Sequence, residues 1–205
     1  MDNIELILET AFELFSAKDI DSVSMSDIAE KAKTSETALY QNFESKAILA
    51  VKTATYEWTQ RMEDTLPSLT RHKYNSLNGY AQLEQIFALF VKLYETQSDF
   101  LRFIYLFDAY AIKEKIPKTY MVDYESKILL VKQIISDAIE KGIYDGSINQ
   151  KYAQAGDFLY FTLMHTFFSA AQKLALSGKM LDMDSQMNGS AQLKLLSQIL
   201  LSGLK

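Results

Sequence analysis

Residues 24–46 read Ser-Met-Ser-Asp-Ile-Ala-Glu-Lys-Ala-Lys-Thr-Ser-Glu-Thr-Ala-Leu-Tyr-Gln-Asn-Phe-Glu-Ser-Lys. Their spacing predicts two short helices joined by a tight turn. Ser24 with Asp27 three residues later is a capping-box start, and Met25, Ile28, Ala29 and Ala32 give the helix that follows a small apolar face. A break falls at Lys33-Thr34, and Thr34 or Ser35 is placed to cap the next helix, which carries Leu39 inward and runs into Phe43. Ala29 is small where the second of these helices must cross the first, and Leu39 plugs the same small core. Upstream, Ile4, Ile7, Leu8, Ala11, Phe12 and Phe15 form the stripe of another helix. The three together make a helix-turn-helix unit whose last helix can offer its N-terminal end to a DNA major groove.

The rest of the chain keeps the helical period, with no alternating run bounded by hairpin signals. Ser45 caps a helix running through Trp58 towards Pro67, and Ser68 to Gly79 reads as a polar loop. Tyr80, Leu83, Phe87, Phe90, Val91 and Tyr94 stripe a fifth helix. Ser98 or Asp99 caps an aromatic sixth, and a seventh starts near Pro117 and ends at Lys141-Gly142. Asp145-Gly146 marks a turn, and Asn149 caps an eighth helix reaching about Leu176. Ser177 to Gly189 reads as a loop with three methionines, and Ser190 caps a ninth helix. The expectation is an all-α protein of about nine helices: an N-terminal three-helix helix-turn-helix domain, residues 1–46, and a C-terminal helical bundle, residues 47–205.

Composition narrows the function classes. Nearly half of the 205 residues are apolar and the chain has no cysteine, which excludes disulfides and thiolate metal sites and fits a reducing cytoplasm. The longest uncharged run, Phe158 to Gln172, is too short and too polar for a membrane span. Only two histidines occur, and Leu69 and Thr162 stand three residues before them, so the Glu-x-x-His pairs of a bundle di-metal centre are absent. No glycine-rich phosphate loop, dinucleotide signature or nucleophile elbow is present. No metal, cofactor or enzymatic reaction is expected.

Charge runs against nucleic acid at first sight. Residues 1–50 hold four lysines (18, 31, 33, 46) against ten acids (2, 5, 9, 13, 19, 21, 27, 30, 36, 44), whereas the remainder is near neutral. Phosphate binding normally draws on Lys and Arg. Six of the ten acids lie on the first helix or the loop after it, however, and between Lys33 and Lys46 the charges balance. Neutral donors also bond phosphate, so Ser24, Thr34, Thr37, Tyr40, Asn42, Lys46 and helix N-terminal amides are expected to make the contacts. Two lysines per subunit on phosphate would give a dimer a log-log salt slope of only about −3 to −4.

Ile7-Leu8, Ala11, Leu14-Phe15, Ser24, Asp27-Ile28-Ala29, Ala32, Ser35, Leu39-Tyr40, Phe43 and Ser45-Lys46-Ala47-Ile48-Leu49 together resemble the TetR (tetracycline-repressor-like) family of bacterial transcription regulators. The resemblance covers about the first fifty residues. It implies a homodimer that binds a double-stranded DNA operator and is released by a small-molecule effector held in the C-terminal domain. It places Tyr40 and Lys46 against phosphates and Thr37, Ala38 and Gln41 near bases, with Ser35 and Glu36 at the start of the reading helix. Asp19 and Lys33 stand where the family usually has glycine, and Glu36 stands where a basic residue is common. A non-glycine residue in a left-handed turn costs about 1–2 kcal/mol.

Trp58, Phe87, Phe90, Tyr94, Phe103, Phe107, Tyr110, Tyr120, Tyr124, Phe161 and His165 are the expected lining of an apolar or aromatic effector pocket, although each also fits a plain core position. Phe161, Met164, Phe168, Ala171, Leu174, Leu193, Leu196, Ile199 and Leu200 are the expected dimer face, with the alternative that the ninth helix covers the monomer's own core. The functional expectation is a cytoplasmic, effector-responsive repressor. The alternative is a helical ligand-binding or protein-interaction module with weakened or lost DNA binding.

Overall fold

The Ser24–Asp27 start forms as the spacing predicts in a computed structural model, which describes residues 3–69, 72–177 and 180–205. Ser24 accepts from the Asp27 backbone N–H while the Asp27 carboxylate accepts from the Ser24 N–H at 2.8 Å, a reciprocal capping box. Eleven α-helices follow the chain among the described residues: α1 (Asn3–Ala17), α2 (Met25–Lys31), α3 (Glu36–Asn42), α4 (Lys46–Leu69), α5 (His72–Asn75), α6 (Gly79–Thr96), α7 (Ser98–Lys113), α8 (Val122–Tyr144), α9 (Asp157–Ser177), α10 (Asp182–Ser185) and α11 (Gly189–Ser202). Two 3-10 turns, Lys118–Tyr120 and Gln150–Tyr152, precede α8 and α9. Nine of the helices have seven residues or more, and no strand occurs among the described residues. The fold class is all-α.

Several expected boundaries shift, each for a local reason. α4 continues past Pro67 to Leu69. The expected loop at 68–79 contains α5, and Asn78 caps α6 by accepting from the Ala81 N–H at 2.8 Å. Ser98 is already helical, directly after Gln97 ends α6. Pro117 begins the 3-10 turn, and Gly142 lies inside α8 rather than at its end. Asn149 caps the second 3-10 turn, so α9 starts at Asp157 instead. Asn188, not Ser190, caps α11, because the Ser190 hydroxyl donates to Glu95. The expected methionine loop contains α10. Asp2, Arg71 and residues 178–179, which fell within expected elements, lie outside the described residues.

Contacts divide the chain into two units, Met1–Met62 with Asp99–Ile128, and Glu63–Ser98 with Leu129–Lys205. In the first, Ile7, Ala11 and Phe15 of α1, Ile28 of α2 and Leu39 of α3 are fully buried. Phe103 of α7 meets Phe12 edge-on at 5.4 Å and stacks on Phe15 at 6.3 Å. These rings tie α1 to α7 by apolar burial plus aromatic geometry. In the second unit α11 packs on α6 and α9, and Phe87 meets Phe167 edge-on at 4.9 Å.

The second unit also caps α6 from outside its own sequence. The turn read at Asp145-Gly146 is real, with Gly146 at φ 76°. It aims the Asp145 carboxylate at the Gly79 N–H (2.8 Å) and the Ser147 hydroxyl oxygen at the Tyr80 N–H (3.1 Å). With Asn78, three of the four orphan donors at the helix start are satisfied. The Ser147 hydroxyl holds the Asp145 carboxyl below the usual carboxylate range, helped by the Gly79 N–H.

Ser24→Ala removes one half of the capping box and is expected to cost about 1 kcal/mol. Chemical denaturation should show the loss, with an unchanged m-value.

Candidate nucleic-acid interface

α2 ends by a route that sets the angle of α3. Ala32 closes the helix, Lys33 takes the left-handed conformation at φ 53°, and the chain turns back. The Lys33 N–H donates to the Glu30 carbonyl at 3.1 Å and the Thr34 N–H to the Ala29 carbonyl at 2.9 Å. That pair of bonds is a Schellman motif, so Lys33 occupies the position where glycine would carry no steric cost. The other expected departure resolves differently. Asp19 has no positive φ, and its carboxylate accepts from the Ser22 N–H at 2.6 Å and the Ser22 hydroxyl at 2.8 Å.

Ser35 then opens α3 by accepting from the Ala38 N–H at 3.1 Å, and Phe43 closes it. Leu39 is 0 % exposed and faces α2, which leaves Glu36, Thr37, Tyr40 and Gln41 in water and Ala38 half-buried. Tyr40 is about half exposed, at 52 %. Among the described residues, none of the polar side chains of Thr34, Glu36, Thr37, Tyr40 and Gln41 makes a hydrogen bond or ion pair. They form a free polar strip.

Other candidates are already occupied. Ser24 and Ser35 serve as caps, and the Asn42 side chain donates to the Ala38 carbonyl at 2.7 Å. Lys46 donates its ammonium to three loop carbonyls, Ile20 at 2.9 Å, Asp21 at 3.2 Å and Val23 at 3.0 Å. An ammonium has three donors, so Lys46 is saturated by the α1–α2 loop and ties the start of α4 to it. Two further contacts hold the same region. Lys113 at the end of α7 pairs with Asp21 at 2.6 Å, and the Tyr120 hydroxyl donates to Glu44 at 3.1 Å.

The expected effector residues fall into both units. Trp58, Phe103, Phe107, Tyr110 and Tyr124 are buried in the first. There Phe107 lies 5.1 Å from Tyr124, whose hydroxyl burial pushes well above the usual range. Tyr120 is largely exposed and lines a cleft of about 120 Å³ with Ile48, Val51 and Val122. In the second unit Phe87 is buried and Phe90 packs on Phe167, whereas Tyr94 lines a groove of about 480 Å³. His165 is exposed and stands 5.2 Å from the exposed Phe161 ring.

The expected dimer face divides in the same way. Met164, Ala171 and Leu193 are buried within their own unit, so they serve the monomer's core. Phe168, Leu174, Leu196 and Leu200 are partly covered, and Phe161 (43 %) and Ile199 (59 %) are exposed. Phe158 and Leu195, at 84 % and 58 %, extend the same apolar exposure and had not been expected. Their i, i+3 and i, i+4 spacing to Phe161 and Ile199 would have revealed them.

A buried ion pair was also not anticipated. Glu57 of α4 is 3 % exposed, and its carboxylate accepts from Arg61 at 2.7 Å. The guanidinium lies over Phe12 at 5.7 Å and Phe100 at 5.2 Å. Burial pushes the Glu57 carboxyl up to about 7, against the opposing pull of Arg61. Among the described residues no cluster of three His, Cys, Asp or Glu side chains could hold a metal ion, and no helix is long and apolar enough to cross a membrane.

The N-terminal segment of this all-α chain, with two short capped helices joined by a tight turn, has the form of a helix-turn-helix. Residues 7–52 match the family described as bacterial regulatory proteins, tetR family. The chain shares with that family this N-terminal segment and an all-α fold. Its fold is similar to the fatty acid degradation regulator FadR of Bacillus halodurans (TM-score 0.73, 11 % identity, 100 % of this chain and 97 % of that one). It is equally similar to FadR of Bacillus subtilis in complex with stearoyl-CoA (TM-score 0.73, 13 % identity, 98 % and 99 %). A TetR-family regulator from Bordetella parapertussis 12822 is a further relative in fold (TM-score 0.64, 19 % identity, 98 % and 95 %). A search of curated proteins finds no match.

Proposed function

We propose that this chain is an effector-responsive repressor that binds a near-palindromic DNA operator as a homodimer. The observation that carries the reading is the free polar strip of α3, Thr37, Tyr40 and Gln41, on a helix-turn-helix closed by its own caps. Residues 1–46 are the reading segment and residues 47–205 the effector-binding and dimerising part. Thr37, Ala38 and Gln41 meet base edges, and Tyr40 with Thr34 meets phosphate. Ser24 and Ser35 act by fixing the helices. Lys46 acts through the loop it binds, so the salt slope is shallower than two free lysines per subunit would give.

The second copy covers the exposed apolar face of α9 and α11, with Phe158, Phe161, Leu195 and Ile199 at its centre and His165 beside them. The effector is apolar, drawn to the aromatic interior of the first unit, which holds Trp58, Phe103 and Phe107. An acyl chain is the favoured class, since FadR of Bacillus subtilis, similar in fold, is in complex with stearoyl-CoA. Release follows if the effector binds the conformation that fits DNA less well, by its differential affinity for the two states.

Fluorescence anisotropy with a duplex from upstream of the chain's own gene tests this. Specific binding with a log-log salt slope of about −2, relieved by a long-chain acyl-CoA, is expected. No binding to any upstream duplex would sink the reading.

A second reading rests on Glu36, a free carboxylate at the start of α3 within an acidic segment. Under it the head has lost DNA and the body binds a ligand or partner protein. Glu36→Lys separates the two. A large gain in non-specific DNA affinity means that the native acid faces phosphate and repels it.

A further inference from the structure

We infer that Lys33, at the turn of the helix-turn-helix, is a DNA-phosphate contact and the principal cation of the reading head. The inference rests on the DNA-binding reading above and goes beyond it in naming a phosphate contact that is not among the contacts given there.

Four lysines serve the first fifty residues, and two are engaged by the protein itself. Lys31 pairs with Glu13 at 2.9 Å. Lys46 spends its three donors on the carbonyls of Ile20, Asp21 and Val23. Lys18, just past the end of α1, has no ion pair or side-chain hydrogen bond among the described residues, but it stands outside the turn and the reading helix. Lys33 is exposed and has neither an ion pair nor a side-chain hydrogen bond among the described residues. It also stands two residues before the N-cap of α3, on the connection that delivers the reading helix.

The backbone supplies an independent reason. Lys33 sits at φ 53° in a Schellman turn that glycine would occupy without steric cost. Among the described residues no hydrogen bond or ion pair of the lysine side chain offsets this cost. A residue that is strained in the free protein and free of partners is accounted for by a partner outside the protein. An unpaired ammonium fits an anion, and phosphate is the anion that a helix-turn-helix meets.

The structural and binding roles predict opposite signs for one substitution. Lys33→Gly should raise Tm by about 2–4 °C by relieving the turn. It should also weaken binding to the upstream duplex about tenfold at low salt and flatten the dimer's salt slope by about 2 units, one contact being lost per subunit. Lys33→Gln should flatten the slope equally without raising Tm, and Lys33→Arg should keep the slope. Sheared genomic DNA, titrated in parallel, should show the same loss, because phosphate contacts carry no sequence information. Unchanged affinity and slope in both Lys33→Gly and Lys33→Gln, with the wild type binding normally, would overturn the assignment alone. A wild-type protein that binds neither DNA would overturn it together with the function proposed above.

Discussion

Arg61→Ala is expected to destabilise the protein by about 3–5 kcal/mol at pH 8 and by only about 1–2 kcal/mol at pH 5. The difference comes from Glu57. At pH 8 its carboxylate is largely ionised, and without Arg61 it must either stay as an unpaired charge in a site only 3 % exposed or take up a proton against the bulk pH. At pH 5 it already carries a proton, so the variant loses little beyond the cover that the guanidinium gives Phe12 and Phe100. Urea titrations of wild type and variant at the two pH values measure this directly. Equal losses at both would show that Glu57 does not hold its proton.

The same group sets a pH dependence in the wild type. The folded value of about 7 lies above the ordinary 4.5, so the folded state binds the proton more tightly than the unfolded one. The associated stability is therefore fully present below pH 4.5 and is lost as pH rises through 7. The difference corresponds to about 3 kcal/mol. Asp19, Asp27, Asp145 and Glu95 run the other way. Hydrogen bonds hold their carboxyls below the ordinary range, and the stability they bring is lost as pH falls through their folded values. A stability maximum near about pH 5 follows. Glu57→Gln should remove the decline on its alkaline side.

Gly79→Ala is expected to have the other large effect, a loss of at least about 3 kcal/mol and a fall in Tm of roughly 6–12 °C. A Cβ at Gly79 would stand 2.0 Å from the Gly142 nitrogen and 2.4 Å from the Ala138 carbonyl oxygen. Both are backbone atoms of α8, so no side-chain rotation relieves the overlap and the start of α6 must move. That movement also breaks the bonds from the Gly79 and Tyr80 N–H groups to Asp145 and Ser147. Gly146→Ala is the matched control. Nothing lies within 4 Å of its Cβ, and only the φ of 76° opposes the change. Its cost should stay near 1–2 kcal/mol. Thermal scans that place the two variants together would show that α6 and α8 do not pack backbone to backbone.

Local chemistry was legible in the residue order. The Ser24–Asp27 box, the Ser35 cap, the inward Leu39 and the Asp145-Gly146 turn depend on groups within a few residues of one another, and short-range sterics and hydrogen bonds decide them. α5 and α10, of four residues each, escaped because such a helix is shorter than the window in which helical periodicity can be detected. Gly142 is the instructive failure. After a lysine it has the pattern of a helix stop, yet it lies within α8, where its missing side chain leaves room for Ile148.

The candidate site divides along the same line. That Thr37, Tyr40 and Gln41 face outward on α3 follows from the inward position of Leu39 on the same helix. Which lysine is free does not. Nothing in their local sequence says which of Lys46 and Lys33 is satisfied, and only the folded chain brings three carbonyls from residues 20–23 around Lys46. Glu57 and Arg61 likewise have the spacing of an ordinary surface pair, but Phe12 and Phe100 arrive from distant sequence to bury it. The sequence by itself determined the helices, their caps and the outward face of α3, because those energies act within one or two turns. Tertiary structure alone decided which charges are already satisfied and which remain for a partner, because electrostatic pairing and desolvation depend on groups far apart in the chain.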